Sequence, residues 1–153
     1  MPCGIVRPMS SSPSLQRLTT TIRTICHSQP VVLAYLFGSH ARGTVDADSD
    51  IDLAILADAS LLPLQRSELR FRLMRTLAEE LNVPLEQIDL IILQDVPSLL
   101  QHNVIRNGRV LFARETSARR EFELAVERRY DDESPYLERE ADITVKRILS
   151  HTA

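Results

Sequence analysis

Residues 31–37, VVLAYLF, and residues 50–56, DIDLAIL, read as two apolar strands joined by the short segment 38–49. A crossover between parallel neighbours takes a dozen or more residues and usually a whole helix. Twelve residues that include two glycines leave no room for a whole crossover helix with its two turns, so the two strands are predicted to run antiparallel. The first is apolar on both faces, as in a strand covered from two sides. A chain with this start must build a sheet with helical layers on it, and its connecting segment, GSHARGTVDADS, is rich in acid just where it re-enters the sheet.

The rest of the chain supplies the layers. Leu15, Leu18, Ile22 and Ile25 recur at helical spacing, with Ser12-Pro13 as the expected cap and first turn and an end near His27. A second helix is predicted from Pro63 to Leu81, with Leu69, Leu73, Leu77 and Leu81 along one side and Asn82 near its end. Residues 87–93, QIDLIIL, form a third strand. A helix over 97–107 follows, with Gly108 at its C′ position, and Val110–Phe112 is a short edge strand. Ser117–Tyr130 is a charged helix with Phe122, Val126 and Tyr130 on one face. Asp131–Pro135 should interrupt it, before a last helix on Leu137, Ala141, Val145 and Ile148. The fold class is α/β (α+β): a small mixed β-sheet flanked by helices.

At 153 residues there is enough chain for one core. The division expected is a disordered leader over 1–13, a domain over 14–113 and a helical extension over 114–153. The leader, MPCGIVRPMSSSP, has no apolar core of a signal peptide. Met9 is as good a start as Met1. No stretch reaches the roughly 18 apolar residues of a membrane span. Only Cys3 and Cys26 are present, which fits a reducing cytoplasm and no disulfide framework. A net charge of −3 gives no basic face for a nucleic-acid backbone.

Asp50 and Asp52 are two apart on a strand and so project from one face, while Ile51, Leu53 and Ile55 pack behind. Like charges that close repel unless a cation lies between them, and oxygen-only ligands favour Mg²⁺ or Mn²⁺. Taken alone, the pair reads first as solvated acids at a strand start. Gly38 and Ser39 end the preceding strand, where a glycine lets backbone come close to a ligand. A short turn at Ala41-Arg42 would offer free N–H groups to a phosphate beside the Ser39 hydroxyl. Arg42 has two readings, as a neutraliser of a triphosphate or as a partner of Asp46 or Asp48. Asp89 is an acid within an apolar strand, where an unpaired charge is costly. It either points off the sheet end or joins the other two carboxylates, and three such acids could hold two divalent ions.

Gly-Ser-His-Ala-Arg-Gly followed by Ser-Asp-Ile-Asp-Leu resembles the signature of the DNA polymerase beta-like nucleotidyltransferase superfamily, over roughly residues 31–113, and the short length resembles its minimal nucleotidyltransferase branch. The resemblance implies a catalytic set of Asp50, Asp52 and Asp89 holding two Mg²⁺ ions. It also implies nucleotide binding by Gly38, Ser39, Arg42 and Gly43. The reaction implied is transfer of a nucleoside monophosphate, here AMP from ATP, to a hydroxyl, with release of pyrophosphate.

Only about 40 residues follow Ala113, too few for a large acceptor domain. Minimal nucleotidyltransferases of this kind pair with HEPN-domain ribonuclease toxins and act as the antitoxin, adding AMP to a tyrosine of the toxin. The chain has no Arg-x4–6-His motif of the HEPN type, so the resemblance places it on the antitoxin side, in a cytoplasmic hetero-oligomer. Two other readings stay open: a small-molecule nucleotidyltransferase of the antibiotic type, and a non-catalytic antitoxin that acts by contact. His27, His40, His102 and His151 show no metal-ligand spacing and read as surface or cap residues. Arg119-Arg120 and Arg128-Arg129, interleaved with glutamates, read as a solvated ion-paired face.

Overall fold

The computed structural model describes residues 12–43 and 49–151, the side chains as far as residue 135. The expected leader therefore falls almost wholly outside the described residues, as do Asp46 and Asp48. Four strands form one sheet in the order β3-β2-β1-β4. β1 (Val31–Phe37) lies antiparallel to β2 (Ile51–Ala57) and to β4 (Arg109–Ala113), and β2 lies parallel to β3 (Ile88–Ile92). The sheet is mixed, and β4 is an edge strand, as the sequence predicts.

One face of the sheet is covered by α1 (Leu15–His27) and α3 (Pro63–Leu81). Leu18 and Ile22 of α1 and Leu69, Leu73, Leu77 and Leu81 of α3 pack on Leu36, Ile51, Leu53, Ile55, Ile88 and Leu90. The four leucines of α3 are all buried, and Asn82 closes the helix in the left-handed conformation, φ +54°. The other face carries α4 (Ser98–Asn107) and α5 (Thr116–His151), with Val104 and Phe122 against Leu33, Tyr35 and Ala54. The alternation of strand side chains thus puts Ile51 and Leu53 under α1 and α3 and turns Asp52 to the α4 side.

Three local expectations are corrected. The cap of α1 is Ser14, whose hydroxyl accepts from the Arg17 N–H at 3.2 Å, and the Ser12-Pro13 pair precedes it. Gly108 ends α4 in an extended conformation rather than a left-handed one. Contact selects glycine there, since a Cβ would lie 2.3 Å from the Val104 carbonyl oxygen. Finally, Asp131–Pro135 does not break the last helix, which runs from Thr116 to His151 with Pro135 inside it. An internal proline removes one backbone hydrogen bond and crowds the preceding turn. Here the turns before it are fastened to α4: Arg129 donates to the Gln101 side chain at 3.1 Å, and the Ser98 hydroxyl donates to Glu133. The charged face of α5 is accordingly only partly solvated. Arg119 pairs with Glu123 at 2.9 Å, one turn along, while His102 of α4 lies 3.3 Å from Glu127 and stacks on Tyr130.

Candidate active site

The candidate site sits at one end of the sheet, where β1 finishes and β2 and β3 begin. The antiparallel register places Phe37 opposite Asp52, and the parallel register places Asp52 opposite Asp89. Both aspartates alternate with buried residues that face α1 and α3, so they emerge side by side on the α4 face. Asp50 precedes the strand and is exposed.

Electrostatics bind the three together. The Asp52 carboxyl, half-buried, is pushed up to about 6, first by loss of solvent, then by the charge of Asp89 and then by that of Asp50; the Arg42 guanidinium opposes the rise. A carboxylate that resists ionisation beside two others marks a place where a cation would be welcome. Oxygen donors alone suit a hard divalent ion. Among the described residues no three His, Cys, Asp or Glu side chains form a ready-made metal cage, and Asp50 and Asp89 are exposed to solvent.

Gly38 to Arg42 form α2, a single helical turn that starts directly at the end of β1. Gly38 has φ +70°, and a Cβ placed there would lie 2.1 Å from Asp52 Oδ2. The turn is thereby pressed onto the carboxylate, and only glycine permits it. The first N–H groups of the turn have no helical partner, and the Ser39 hydroxyl makes no hydrogen bond among the described residues. Arg42 is exposed and makes no ion pair among them. Gly43 closes the turn at φ +73°, a backbone conformation that favours glycine, with nothing among the described residues within 4 Å of a Cβ.

His40 is not the surface histidine expected from the sequence. It is 8% exposed, and its Nδ1 lies 3.0 Å from the Asp50 carbonyl oxygen, to which it donates as the neutral ring. Burial pushes its pKa down, which keeps the ring neutral. His40 thus ties α2 to the start of β2 across the segment 43–49. The available signal was its place inside a five-residue turn between two buried strands. The site as a whole is an open carboxylate cluster abutting a turn with free N–H and hydroxyl donors, an arrangement suited to a phosphate ester and a divalent cation.

The chain belongs to the Polymerase beta, Nucleotidyltransferase family, whose pattern it matches over residues 20–117. Over 80 residues it is 35% identical to the protein adenylyltransferase MntA of Shewanella oneidensis, a match covering 52% of this chain and 52% of that one. The chain spans about half the length of the curated relatives it matches. Its fold is shared with a chain of a toxin–antitoxin crystal structure with AMP-PNP, at a TM-score of 0.64 and 24% identity over 88% of this chain and 99% of that one. It is also shared with a chain of the tri-AMPylated Shewanella oneidensis HEPN toxin in complex with MNT antitoxin, at a TM-score of 0.53 and 24% identity over 78% and 84%. No helix among the described residues is long and apolar enough to cross a membrane.

Proposed function

We propose that this protein is a Mg²⁺-dependent nucleotidyltransferase that moves AMP from ATP to a tyrosine hydroxyl of a partner HEPN ribonuclease, and so acts as the antitoxin of a toxin–antitoxin pair. The observation that carries the chemistry is the contact of Gly38 with Asp52, which brings the α2 turn and the paired carboxylates of Asp52 and Asp89 to one point. The partner is supported by the kinship with an adenylyltransferase and by the fold shared with a chain of an AMPylated HEPN toxin complex. The catalytic unit spans residues 14–113, followed by the helical extension 114–153. The setting is the cytoplasm.

In this reading Asp50 and Asp52 would hold the ion that arrives with the nucleotide, and Asp89 would help hold a second. Bound Mg²⁺ would neutralise phosphate charge and raise the acidity of the acceptor hydroxyl. The α2 N–H groups and the Ser39 hydroxyl orient the triphosphate, and Arg42 offsets its charge. Asp89 stands on the strand farther from α2, so its carboxylate takes up the proton of the attacking tyrosine hydroxyl. The new bond joins that oxygen to the α-phosphorus, the bond from the α-phosphorus to the bridging oxygen breaks, and pyrophosphate leaves. Ser39→Ala should weaken Mg–ATP binding by about 1.5–3 kcal/mol, the value of a hydrogen bond to a charged group, read by calorimetry.

The test of the whole reading is Asp89→Asn. It should bind Mg–ATP nearly as the wild type does but transfer AMP to a co-purified HEPN ribonuclease ~10² or more times more slowly, as loss of a positioned base does. Mass spectrometry of the toxin tyrosine reads the transfer, and cell survival reads the neutralisation. A variant that no longer transfers AMP yet still protects cells would replace enzymatic neutralisation with neutralisation by contact. Transfer at the wild-type rate would return Asp89 to a solvated acid.

A further inference from the structure

Beside α2, on the sheet face that carries Asp52 and Asp89, a cavity of about 490 Å³ opens. Its size falls within the range of small-molecule sites. Phe37 and Gly38 line it at the end of β1, Arg42 lines it from α2, and α4 contributes Leu100, Asn103 and Asn107. The cavity is thus charged where it meets the α2 turn and amide-lined along α4.

Asn103 and Asn107 are one helical turn apart and so lie on the same face of α4. Both are exposed, and neither carboxamide makes a hydrogen bond among the described residues. Asparagine is a poor helix former in a helix interior, so Asn103 adds nothing to α4 itself. A carboxamide offers one donor and one acceptor side by side, the complement of the adenine N6 and N7 edge. Phe37 and Leu100 offer apolar surface to the flat faces of a base. Gly38 and Arg42 line the cavity and none of Asp50, Asp52 and Asp89 does, so the space lies beside the α2 turn, to one side of the carboxylates.

We infer that this cavity holds the adenine base of the incoming nucleotide and that Asn103 and Asn107 set the base preference. The inference rests on the nucleotidyl-transfer reading above and adds its base specificity. In catalysis these two residues neither hold the metals nor touch the reacting phosphorus; they bind and orient the substrate.

Equilibrium binding of Mg–ATP, Mg–CTP and Mg–tripolyphosphate to the full-length protein tests it. The wild type should hold ATP more tightly than CTP or tripolyphosphate. The Asn103→Ala/Asn107→Ala double variant should lose roughly tenfold or more in ATP affinity, the range of a bidentate carboxamide–adenine pair, with tripolyphosphate binding unchanged. Leu100→Trp, which fills the cavity from its apolar wall, should likewise weaken ATP and spare tripolyphosphate. ATP affinity untouched in both variants, or a wild type that prefers neither ATP nor CTP while still binding tripolyphosphate, overturns the base site alone. A wild type that binds none of the three probes overturns the nucleotidyl-transfer reading together with this one.

Discussion

Replacing Asp50 and Asp52 together with asparagine should abolish metal-dependent AMP transfer, and Asp52→Asn alone should make the metal-free protein more stable at neutral pH. The first half follows from the loss of both charges that would hold the nucleotide-borne ion. The second follows from the elevated pKa of Asp52, about 6 in the fold against 3.8 for the free side chain. Below pH 3.8 the carboxyl is protonated in the folded and unfolded states alike and contributes nothing to the difference. Between 3.8 and 6 the folded state holds a proton that the unfolded state has released, so stability falls as pH rises. Above 6 both states are ionised, and the folded one bears the full repulsion of Asp89 and Asp50 plus the desolvation. Asp52→Asn removes that term. At pH 7–8 the gain should be on the order of 1 kcal/mol once the screening of a half-exposed group is allowed for, or ~2–4 °C in Tm, and it should vanish at pH 4. Adding Mg²⁺ should raise the Tm of the wild type and leave the double variant unmoved. Thermal scans at two pH values, with and without the ion, read all of this. A destabilised Asp52→Asn at pH 7.5, or full transfer by the double variant, would contradict the assignment.

Gly38→Ala should be nearly as damaging to activity, through geometry and not charge. The new Cβ must occupy a left-handed backbone position and come within 2.1 Å of Asp52 Oδ2. Either the carboxylate turns away or the α2 turn lifts from the sheet end, and both outcomes separate the phosphate donors from the metal ligands. Transfer should fall by ~10² or more, the size of effect that small displacements of reacting groups produce, and Mg–ATP affinity should fall with it. Gly43→Ala is the matched control. Its φ is equally positive, but its Cβ would meet nothing among the described residues, so it should lose ~1–2 kcal/mol of stability to backbone strain and far less activity than Gly38→Ala. Equal loss of activity in the two variants would show that backbone strain, and not contact with Asp52, is what matters at this turn.

The strands, the antiparallel first pair and the apolar faces of α1 and α3 were legible in the sequence because each leaves a trace: a continuous apolar run in β1, an apolar run broken only by Asp52 in β2, and leucines four apart in α3. Asp52 was legible as an acid among apolar strand residues, whereas Asp50 lies just before β2, so its nearness to Asp52 comes from the entry into the strand and not from strand alternation. The pairing of Asp89 with Asp52 was only half legible, since parallel register is set by the packing of α3 and leaves no local mark. Pro135 misled, because a proline's effect on a helix depends on what fastens the neighbouring turns, here Gln101 and Ser98 of α4. His40 misled for the opposite reason: its partner is a backbone carbonyl, which no side-chain spacing announces. Asn103 and Asn107 carry no motif at all, and only the placement of α4 beside α2 brings them to the site.

The way the site is divided between strand pairs also sets an order of assembly. Gly38, Asp50 and Asp52 come together when β1 and β2 close over one short loop, an event with a small entropic barrier. Asp89 arrives only when β3 pairs with β2 across the whole length of α3, a more distant contact and a slower one. The repulsion between Asp52 and Asp89 is therefore felt at the last joining step, after the first hairpin has formed. The substrate-bound cation, by screening that pair, would then fasten the late-docking strand as well as serve the reaction.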